Sequence, residues 1–372
     1  MPTPSNRPAT TTGGPEIQDP VLFAELTERQ AMPQQPQAIT GLNRKQRLLI
    51  EKVGVLSRVR LTVKFRFKTA AGQEPIANPG FPQRLLQECA LQANGTTGII
   101  DCSGPTLKQR ANRVYRNPVS AVAQWTGLAA AGGAAKVGVK LKAAEAFEVT
   151  FVLEIPVAHD MVSLLGSLLA QNEETQLSFL LSWASEEEIV SGGKIEAFEG
   201  EVLWDTTVFS IGSTVEGKDE KTVLPDLSAF HGLLEQKTNL VATGPQKAEL
   251  TRTAGQLLCY TAAVINKAGG SEALSPAEWT VFKLEYGGNK DPLVWNGPPI
   301  TLLEENAEDY DGPLTIGGLT FLAVDLERDL TQRDMIIPES LTELRAVLGI
   351  PVAFKPEGAS IITTQETLYP AV

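Results

Sequence analysis

Residues 58–68, RVRLTVKFRFK, alternate between polar and apolar side chains. Such period-two alternation over eleven residues predicts a β-strand with one buried face and one solvent-facing face. The apolar side chains, which we expect to point into a core, are Val59, Leu61, Val63, Phe65 and Phe67. The strand indicates that the body of the chain is a β-sandwich or barrel.

The solvent-facing side of this strand is almost wholly basic. Its cations are Arg58, Arg60, Lys64, Arg66 and Lys68. Like charges two residues apart on one strand repel each other. Two hypotheses are therefore open: in the first, the basic face is simply solvated. In the second, the strand meets an acidic neighbouring subunit, anionic lipid headgroups or nucleic acid at an inner surface or between subunits.

Short strand patterns continue on both sides of this segment. In the first half they lie near residues 47–54, 84–92, 147–155, 176–184 and 197–211; in the second half, near 232–242, 256–266, 279–286, 315–325 and 359–368. The predicted helices are residues 105–115, Ile300–Tyr310 and Ser340–Leu348. Because strands dominate without a βαβ rhythm, the chain is predicted to be all-β with sandwich-like halves.

The N-terminal segment differs from the body. Residues 1–18 are rich in Pro, Thr and Gly and predict a disordered arm. Asp19 is a suitable N-cap and Pro20 a suitable first residue for an amphipathic helix that runs to about Ala31. Its apolar side, a candidate inner-surface or inter-subunit contact, carries Leu22, Phe23 and Leu26.

The chain of 372 residues is long enough for two domains. The polar stretch from Gly212 to Leu227 marks the predicted boundary. We expect an arm with a short helix over residues 1–40, a first domain over 41–212, a linker over 213–227 and a second domain over 228–372. Leu48–Lys52 resembles Leu233–Lys237 at an offset of 185 residues, and Ile155-Pro156 resembles Ile337-Pro338 at an offset of 182 residues. These two matches favour two copies of one fold.

Charge is unevenly distributed along the chain. The net charge of −12 divides into +11 for residues 1–142, −12 for 143–215 and −11 for 216–372. A nucleic-acid-binding chain is more often basic overall, so sequence-specific nucleic-acid binding is not expected. Two surfaces with different surroundings are expected instead.

Cysteine usage and hydropathy place the chain in a reducing compartment. Cys89, Cys102 and Cys259 are an odd number without CxxC spacing, which favours buried free thiols over a disulfide framework or a zinc site. The polar N-terminus predicts no secretory signal, and no stretch is long and apolar enough to predict a membrane span. We therefore expect synthesis in a reducing cytoplasm.

The stretch FEVTFVLEIPVAHDMVSLLGSLLAQNEETQLSFLLSW, residues 147–183, joins a strand ending in Ile-Pro to a short helix, a loop with Gln171 and Asn172, and an alternating strand. It resembles the first jelly roll of the double jelly-roll major capsid proteins of tectivirus-like, tailless icosahedral double-stranded DNA phages. The Pro/Gln-rich arm followed by Arg44-Lys45-Gln46-Arg47 is similar too. The order of parts covers residues 20–370.

The resemblance implies two tandem eight-stranded jelly rolls with a few short helices and an N-terminal arm. Three subunits with two rolls each would form a pseudo-hexagonal capsomer of an icosahedral shell. Expected partners are the chain itself, neighbouring capsomers, vertex and minor capsid proteins, and an internal lipid membrane near the arm. The expected location is the virion.

The sequence carries no convincing catalytic constellation, and neither an enzyme activity nor a cofactor is predicted. His159-Asp160 lacks the further ligands of a metal-dependent hydrolase, and His231 has no visible partner. Cys102 lacks a His/Asn signature and is expected beside a turn. The acidic group Glu304, Glu305, Glu308, Asp309 and Asp311 predicts an exposed helix and loop rather than a calcium site.

Two other functional classes remain as alternatives. A trimeric β-sandwich spike or receptor-binding protein of a virion shares the fold class but needs no tethered inner helix. A cupin-type enzyme or lectin needs clustered His and Glu ligands on strands, which two distant histidines do not supply.

Overall fold

The computed structural model describes residues 16–17, 23, 27–95, 97–115, 124–126, 141–159, 164–216, 219–251, 254–266, 273–286, 295–326 and 344–370. Strands in the first part of the chain are β1 Glu16–Ile17, β2 Arg29–Pro33, β3 Gln37–Ile39, β4 Lys45–Leu49, β5 Val55–Thr69, β6 Ile76–Ala77, β7 Leu86–Ala93, β8 Thr97–Cys102, β9 Gln124–Thr126, β10 Ala146–Pro156, β11 Leu168–Leu169, β12 Leu177–Trp183, β13 Val190–Ser191 and β14 Ile195–Phe209.

The remaining strands are β15 Gly212–Glu216, β16 Asp219–Leu224, β17 Ala229–Asn239, β18 Gly244–Glu249, β19 Gln256–Asn266, β20 Ala273–Leu274, β21 Phe282–Tyr286, β22 Trp295–Gly297, β23 Thr315–Ile316, β24 Leu319–Thr320, β25 Leu322–Asp325, β26 Leu344–Ile350 and β27 Ala359–Pro370. The described helices are α1 Gly104–Tyr115, α2 Glu186–Ile189 and α3 Pro299–Asp309, with single 3-10 turns at Gln83–Leu85 and Pro276–Glu278.

The first half is a sandwich of two antiparallel sheets. One sheet is built around β5, which pairs with β10 on one side and β14 on the other. β9 extends it beyond β10, while β2 and β3 extend it beyond β14. The other sheet has the strand order β4-β12-β7-β8. With β4, β5, β7–β10, β12 and β14, this half supplies eight main strands.

The second half repeats this arrangement. One sheet has the order β17-β27-β19, with β25 on the outer side of β19, and the other has the order β18-β26-β21-β22. The four-plus-four arrangement is that of a jelly roll. Strands β4 and β17 carry the two matched segments at the 185-residue offset, and each opens its own roll.

Each roll buries its own core between its sheets. In the first roll, the inward side chains of β5 contact Phe81 and aromatic residues of β10; Phe65 and Phe67 each meet Phe81 edge-on at 6.1 Å. In the second roll, Tyr260 stacks on Phe282 inside a separate cluster. Two separate cores support a two-domain chain, while the exact domain boundaries stay a prediction.

The two rolls share one sheet. β8 of the first roll pairs in parallel with β17 of the second, through Ile100 opposite Leu233 and Asp101 opposite Leu234. The strands around this pair form a continuous nine-stranded sheet. The rolls therefore stand side by side rather than as beads on a flexible linker.

Several predicted elements are wrong in detail. The helix predicted over Ser340–Leu348 is strand β26 from Leu344 onward, because this segment pairs with β18 and β21 on either side. The N-terminal helix does not reach Ala31, since Arg29–Pro33 is strand β2 on the edge of β14. The predicted linker contains the hairpin of β15 and β16.

Other expectations fall outside the part of the chain that the structure describes. These are residues 1–15 of the arm and most of the predicted helix after Asp19, including Leu22 and Leu26. A short helix was expected after Pro156. Leu164 and Leu165 are not helical, and residues 160–163 lie outside the part of the chain that the structure describes. Among the described residues, no helix is both long and apolar enough to span a bilayer.

Candidate functional site: the charged sheet face and the joint between the rolls

The basic face of β5 lies between two acidic strands of the same sheet. β10 places Glu148 beside Arg66 and Glu154 beside Arg60, and β14 places Glu201 beside Lys64. The resulting ion pairs are Arg58–Glu154 (3.3 Å), Arg60–Glu154 (3.7 Å), Lys64–Glu201 (3.3 Å), Arg66–Glu148 (3.6 Å) and Lys68–Glu196 (4.0 Å). We call this set the charge ladder.

The charge ladder explains the uneven charge of the sequence. The +11 segment contains β5, and the −12 segment contains β10 and β14, so opposite charges that are separated along the chain become cross-strand neighbours. All five cations predicted as a contact surface have carboxylates of their own chain within 4.0 Å. A contact of this face with another subunit or with lipid stays a prediction, and any such partner would meet a nearly neutral surface.

Phe23 anchors the N-terminal segment to the first roll. Its side chain is fully buried against Val55, Leu164 and Phe209, with its ring 6.1 Å from that of Phe209. Of the three apolar residues predicted to form a contact surface, only Phe23 belongs to the described residues, and it packs inside its own chain. The segment is therefore held against the end of the sandwich where β5 begins and β14 ends.

Helix α1 bridges the two rolls. Its first turn is capped from the second roll, because Glu235 Oε2 accepts hydrogen bonds from Ser103 N (2.9 Å), Ser103 Oγ (2.6 Å) and Thr106 Oγ1 (2.6 Å). A carboxylate at this end satisfies otherwise unpaired helix donors and complements the helix dipole. The other end of α1 turns Arg110 and Arg113 toward the second roll.

These two arginines meet a buried ionic cluster. Arg110 Nε donates to Glu366 Oε1 at 2.8 Å, and Arg113 donates to Glu366 Oε2 and, at 2.7 Å, to Asp325 Oδ2. Tyr310 donates to the same Asp325 oxygen at 3.1 Å. Every side chain of these pairs is at most about one-tenth exposed. Buried charges are tolerated only when paired in this way.

Both histidines of the chain join this cluster. His231 is fully buried on β17; its Nε2 lies 2.8 Å from Glu366 Oε1 and its Nδ1 lies 3.0 Å from the carbonyl oxygen of Pro156. The ring of His159 lies 5.6 Å from that of His231. No role for His231 was predicted, because its partners lie 75 and 135 positions away along the chain.

His159, His231 and Glu366 bring their ligand atoms within 4.8 Å of one another, a donor set that zinc also uses. The two guanidinium groups decide between a metal and an ion-pair cluster. Arg110 and Arg113 already occupy both oxygens of Glu366, so a divalent cation would have to displace them and would meet their positive charge. The geometry favours an ion-pair cluster that joins the rolls.

The thiols are not arranged for catalysis. Cys89 and Cys102 face each other across β7 and β8, and all three cysteines are buried and outside any disulfide. Burial raises the pKa of Cys89 and of Cys102, with smaller contributions from nearby acids, so both stay as thiols near neutral pH. Cys102 ends β8 just before α1, as expected for a residue beside a turn.

The acidic helix is exposed, as predicted. α3 spans Pro299–Asp309, and Glu304, Glu305 and Glu308 lie on its exposed side. The described residues of this segment do not form a three-ligand metal group.

Comparison with known proteins identifies the architecture. No protein-family model matches the sequence, and no curated protein matches it significantly. Solved structures match over almost the whole chain. The crystal structure of the STIV major capsid protein superposes with a TM-score of 0.65 and 14% identity, covering 92% of this chain and 97% of that one. This chain is a double jelly roll.

Two further structures agree. The capsid of PBCV-1 virus matches with a TM-score of 0.57 and 11% identity over 96% of this chain and 95% of its own. The major capsid protein P2 from bacteriophage PM2 matches with a TM-score of 0.51 and 8% identity over 93% and 98%. At these identities the likeness shows the double jelly-roll fold alone, and that fold confirms the predicted two tandem rolls.

Proposed function

We propose that this double jelly roll is a major capsid protein that self-assembles into pseudo-hexagonal trimeric capsomers of an icosahedral viral shell. The observation that carries the proposal is the fixed side-by-side placement of two similar rolls, through the shared sheet at β8 and β17 and the bridge of α1. Three such chains around a threefold axis present six similar sandwiches, which is a block that tiles a flat facet.

The structural neighbours support the proposal at the level of the whole chain. The chains compared above are named as major capsid proteins or as part of a viral capsid, and each is covered over more than nine-tenths of its length. The match therefore extends over both rolls and the joint between them. A chance likeness of one sandwich would cover about half of such a chain.

A structural role also agrees with the interior of the protein. The buried side chains of Arg110, Arg113, Asp325 and Glu366 are engaged in ion pairs that hold the rolls together, and the thiols are buried. Among the described residues, the group with the donor set of a metalloenzyme is occupied by two arginines. These features favour a shell protein without catalytic activity.

The proposed location is the virion, after synthesis in a host cytoplasm. The proposed partners are further copies of the chain, vertex and minor capsid proteins, and an internal membrane near the N-terminal arm. Sequence-specific nucleic-acid binding is not proposed, since the cations of β5 pair with acids of their own sheet.

Assembly in vitro tests this proposal. The purified chain is concentrated stepwise, and particle formation is followed by light scattering and negative-stain electron microscopy. Hexagonal blocks that associate into flat arrays or closed shells are the expected result. A chain that stays monomeric at every concentration and forms no arrays would overturn the proposal, whereas isolated trimers that never associate would favour a spike or receptor-binding protein.

A further inference from the structure

The only two histidines of the chain meet in the joint between the rolls. His159 follows β10 of the first roll, and His231 lies on β17 of the second. Both lie near the carboxylate of Glu366, with His159 Nδ1 at 3.8 Å and His231 Nε2 at 2.8 Å from Oε1. The titratable and charged groups around the pair are Arg110 and Arg113 on α1, Glu154 on β10, Cys259 on β19, Tyr310 after α3, Asp325 on β25 and Glu366 on β27.

Different features of the surroundings of His231 favour different protonation states of its ring. Both ring nitrogens face oxygen atoms, and the carbonyl of Pro156 can only accept a hydrogen bond. A doubly protonated ring would satisfy both contacts, whereas a neutral ring satisfies one. Hydrogen bonding alone therefore favours the charged ring.

Charge and burial act in the opposite direction. With neutral histidines, Arg110 and Arg113 balance Glu366 and Asp325, and one more proton would leave an excess positive charge where His231 is fully buried. Burial first, and then the positive charge of Arg110, lower the pKa of His231 well below its ordinary value of 6.5. The folded joint therefore holds His231 as the neutral ring.

We propose that buried His231, packed between His159 and Glu366, makes the joint between the two rolls acid-sensitive, so that mild acid loosens α1 from the second roll. The folded state resists a proton that the open or unfolded chain accepts readily. Stability is therefore complete above the ordinary histidine pKa of about 6.5 and falls as the pH drops from there toward the lower pKa of the folded state. The proposal concerns this joint within one chain and holds whether or not the chain builds a shell.

The position of the two histidines explains why protonation should weaken the joint between the rolls. The added charge would lie beside the guanidinium groups that tie α1 to Glu366 and Asp325. Gly166 lies close against this site, because a β-carbon there would come within 2.7 Å of the His231 side chain. This contact involves the β-carbon and backbone of His231, and the ring itself is fully buried, so we expect the added charge to be relieved by separating the rolls.

NMR signals of the two histidine rings test the proposal directly. The full-length protein is labelled with ¹³C at histidine Cε1, and its two signals are followed by NMR from pH 8.0 to 5.0, with His159→Gln used to assign them. We expect the His231 signal to keep its neutral position well below pH 6.5, the ordinary histidine pKa. A His231 ring that titrates at pH 6.5 or above in the folded protein would overturn the proposal.

The pH dependence of folding stability is the second test of the proposal. For one histidine that stays neutral in the fold, the folding equilibrium constant should fall about tenfold from pH 7.5 to pH 5.5, beyond the background of the carboxylates. His231→Gln keeps an amide donor for Glu366 and removes the titration, so its pH dependence should be smaller by that factor. Equal pH dependence in the variant and the original protein would contradict the proposal.

Hydrogen exchange locates the loosening. At pH 5.5, after correction for the intrinsic exchange rate, amides of α1 should exchange faster than at pH 7.5 and should be less protected than those of β26 in the second core, because the joint opens without unfolding that core. Equal protection of α1 and β26 at pH 5.5 would show that the joint opens only by global unfolding and would overturn the assignment to the joint. The NMR titration needs no variant of His231, so it decides the proposal even if His231→Gln fails to fold.

Discussion

Arg110 and Glu366 are 256 positions apart in the chain, yet Arg110 Nε donates a hydrogen bond of 2.8 Å to Glu366 Oε1. One residue lies on the helix of the first jelly roll, and the other lies on the last strand of the second. Their contact, together with that of Arg113, converts two sandwiches into one rigid unit. The relative placement of the rolls is what a regular capsomer would require.

Glu366→Gln should destabilise the protein strongly. The change leaves Arg110 and Arg113 buried with only Asp325 as a counter-charge, and breaking a buried pair typically costs about 3–5 kcal/mol. Urea unfolding at pH 7.5 measures the free energy of unfolding. Glu357→Gln, in an exposed loop, is the control and should change it by less than about 0.5 kcal/mol. Equal effects in the two variants would show that the cluster contributes little.

The charge ladder should be unequal along its length. The Arg58–Glu154 pair is largely buried, with side chains 10% and 14% exposed, whereas those of Arg66–Glu148 are 59% and 60% exposed. We therefore expect Glu154→Gln to cost about 1–3 kcal/mol and Glu148→Gln less than about 1 kcal/mol. Urea unfolding at low and high salt measures both. An equal cost would contradict the burial gradient.

Phe23→Ala should release the N-terminal segment without unfolding the rolls. Removal of a fully buried ring that packs on Phe209 costs several kcal/mol of local contact, about 3–5 kcal/mol in well-packed cores. Hydrogen exchange should rise in β2 and remain unchanged in β19. Val352→Ala, at a position 88% exposed, is the control and should change neither. Unchanged exchange in β2 would show that Phe23 is not the anchor.

The thiols should be inert in the folded protein. Because burial raises the pKa of Cys89 and Cys102, almost no thiolate is present at pH 8. A thiol-reactive chromogenic disulfide should label none of the three cysteines rapidly in buffer and all three after denaturation. Fast labelling of a cysteine in the native protein would contradict the described burial.

The sequence predicted the fold where side-chain alternation is strong. β5 and β10 were found because one face of each strand is buried, while β12, also predicted, is buried on both faces. β26 was mistaken for a helix because LTELRAVL also fits a helical period, and only pairing with distant strands makes it a strand. β2 lies on a sheet edge and has almost no buried side chains, so it leaves no pattern to detect.

The functional sites, too, could be predicted only where they depend on short-range patterns in the sequence. The basic face of β5 was visible in the sequence, but its acidic partners belong to strands that begin about 80 to 130 residues later along the chain. The histidine cluster was invisible because His159, His231 and Glu366 are brought together only when both rolls have formed. Short-range patterns predict which face is charged or buried, and tertiary structure decides what that face meets.

Native mass spectrometry of the purified protein, with negative-stain images of the same sample, tests whether three copies of the chain form a capsomer. The capsid account predicts a stable trimer of about 120 kDa, three copies of the 40.0 kDa chain, with a hexagonal outline. A monomer or dimer at every concentration, without hexagonal particles, would contradict it.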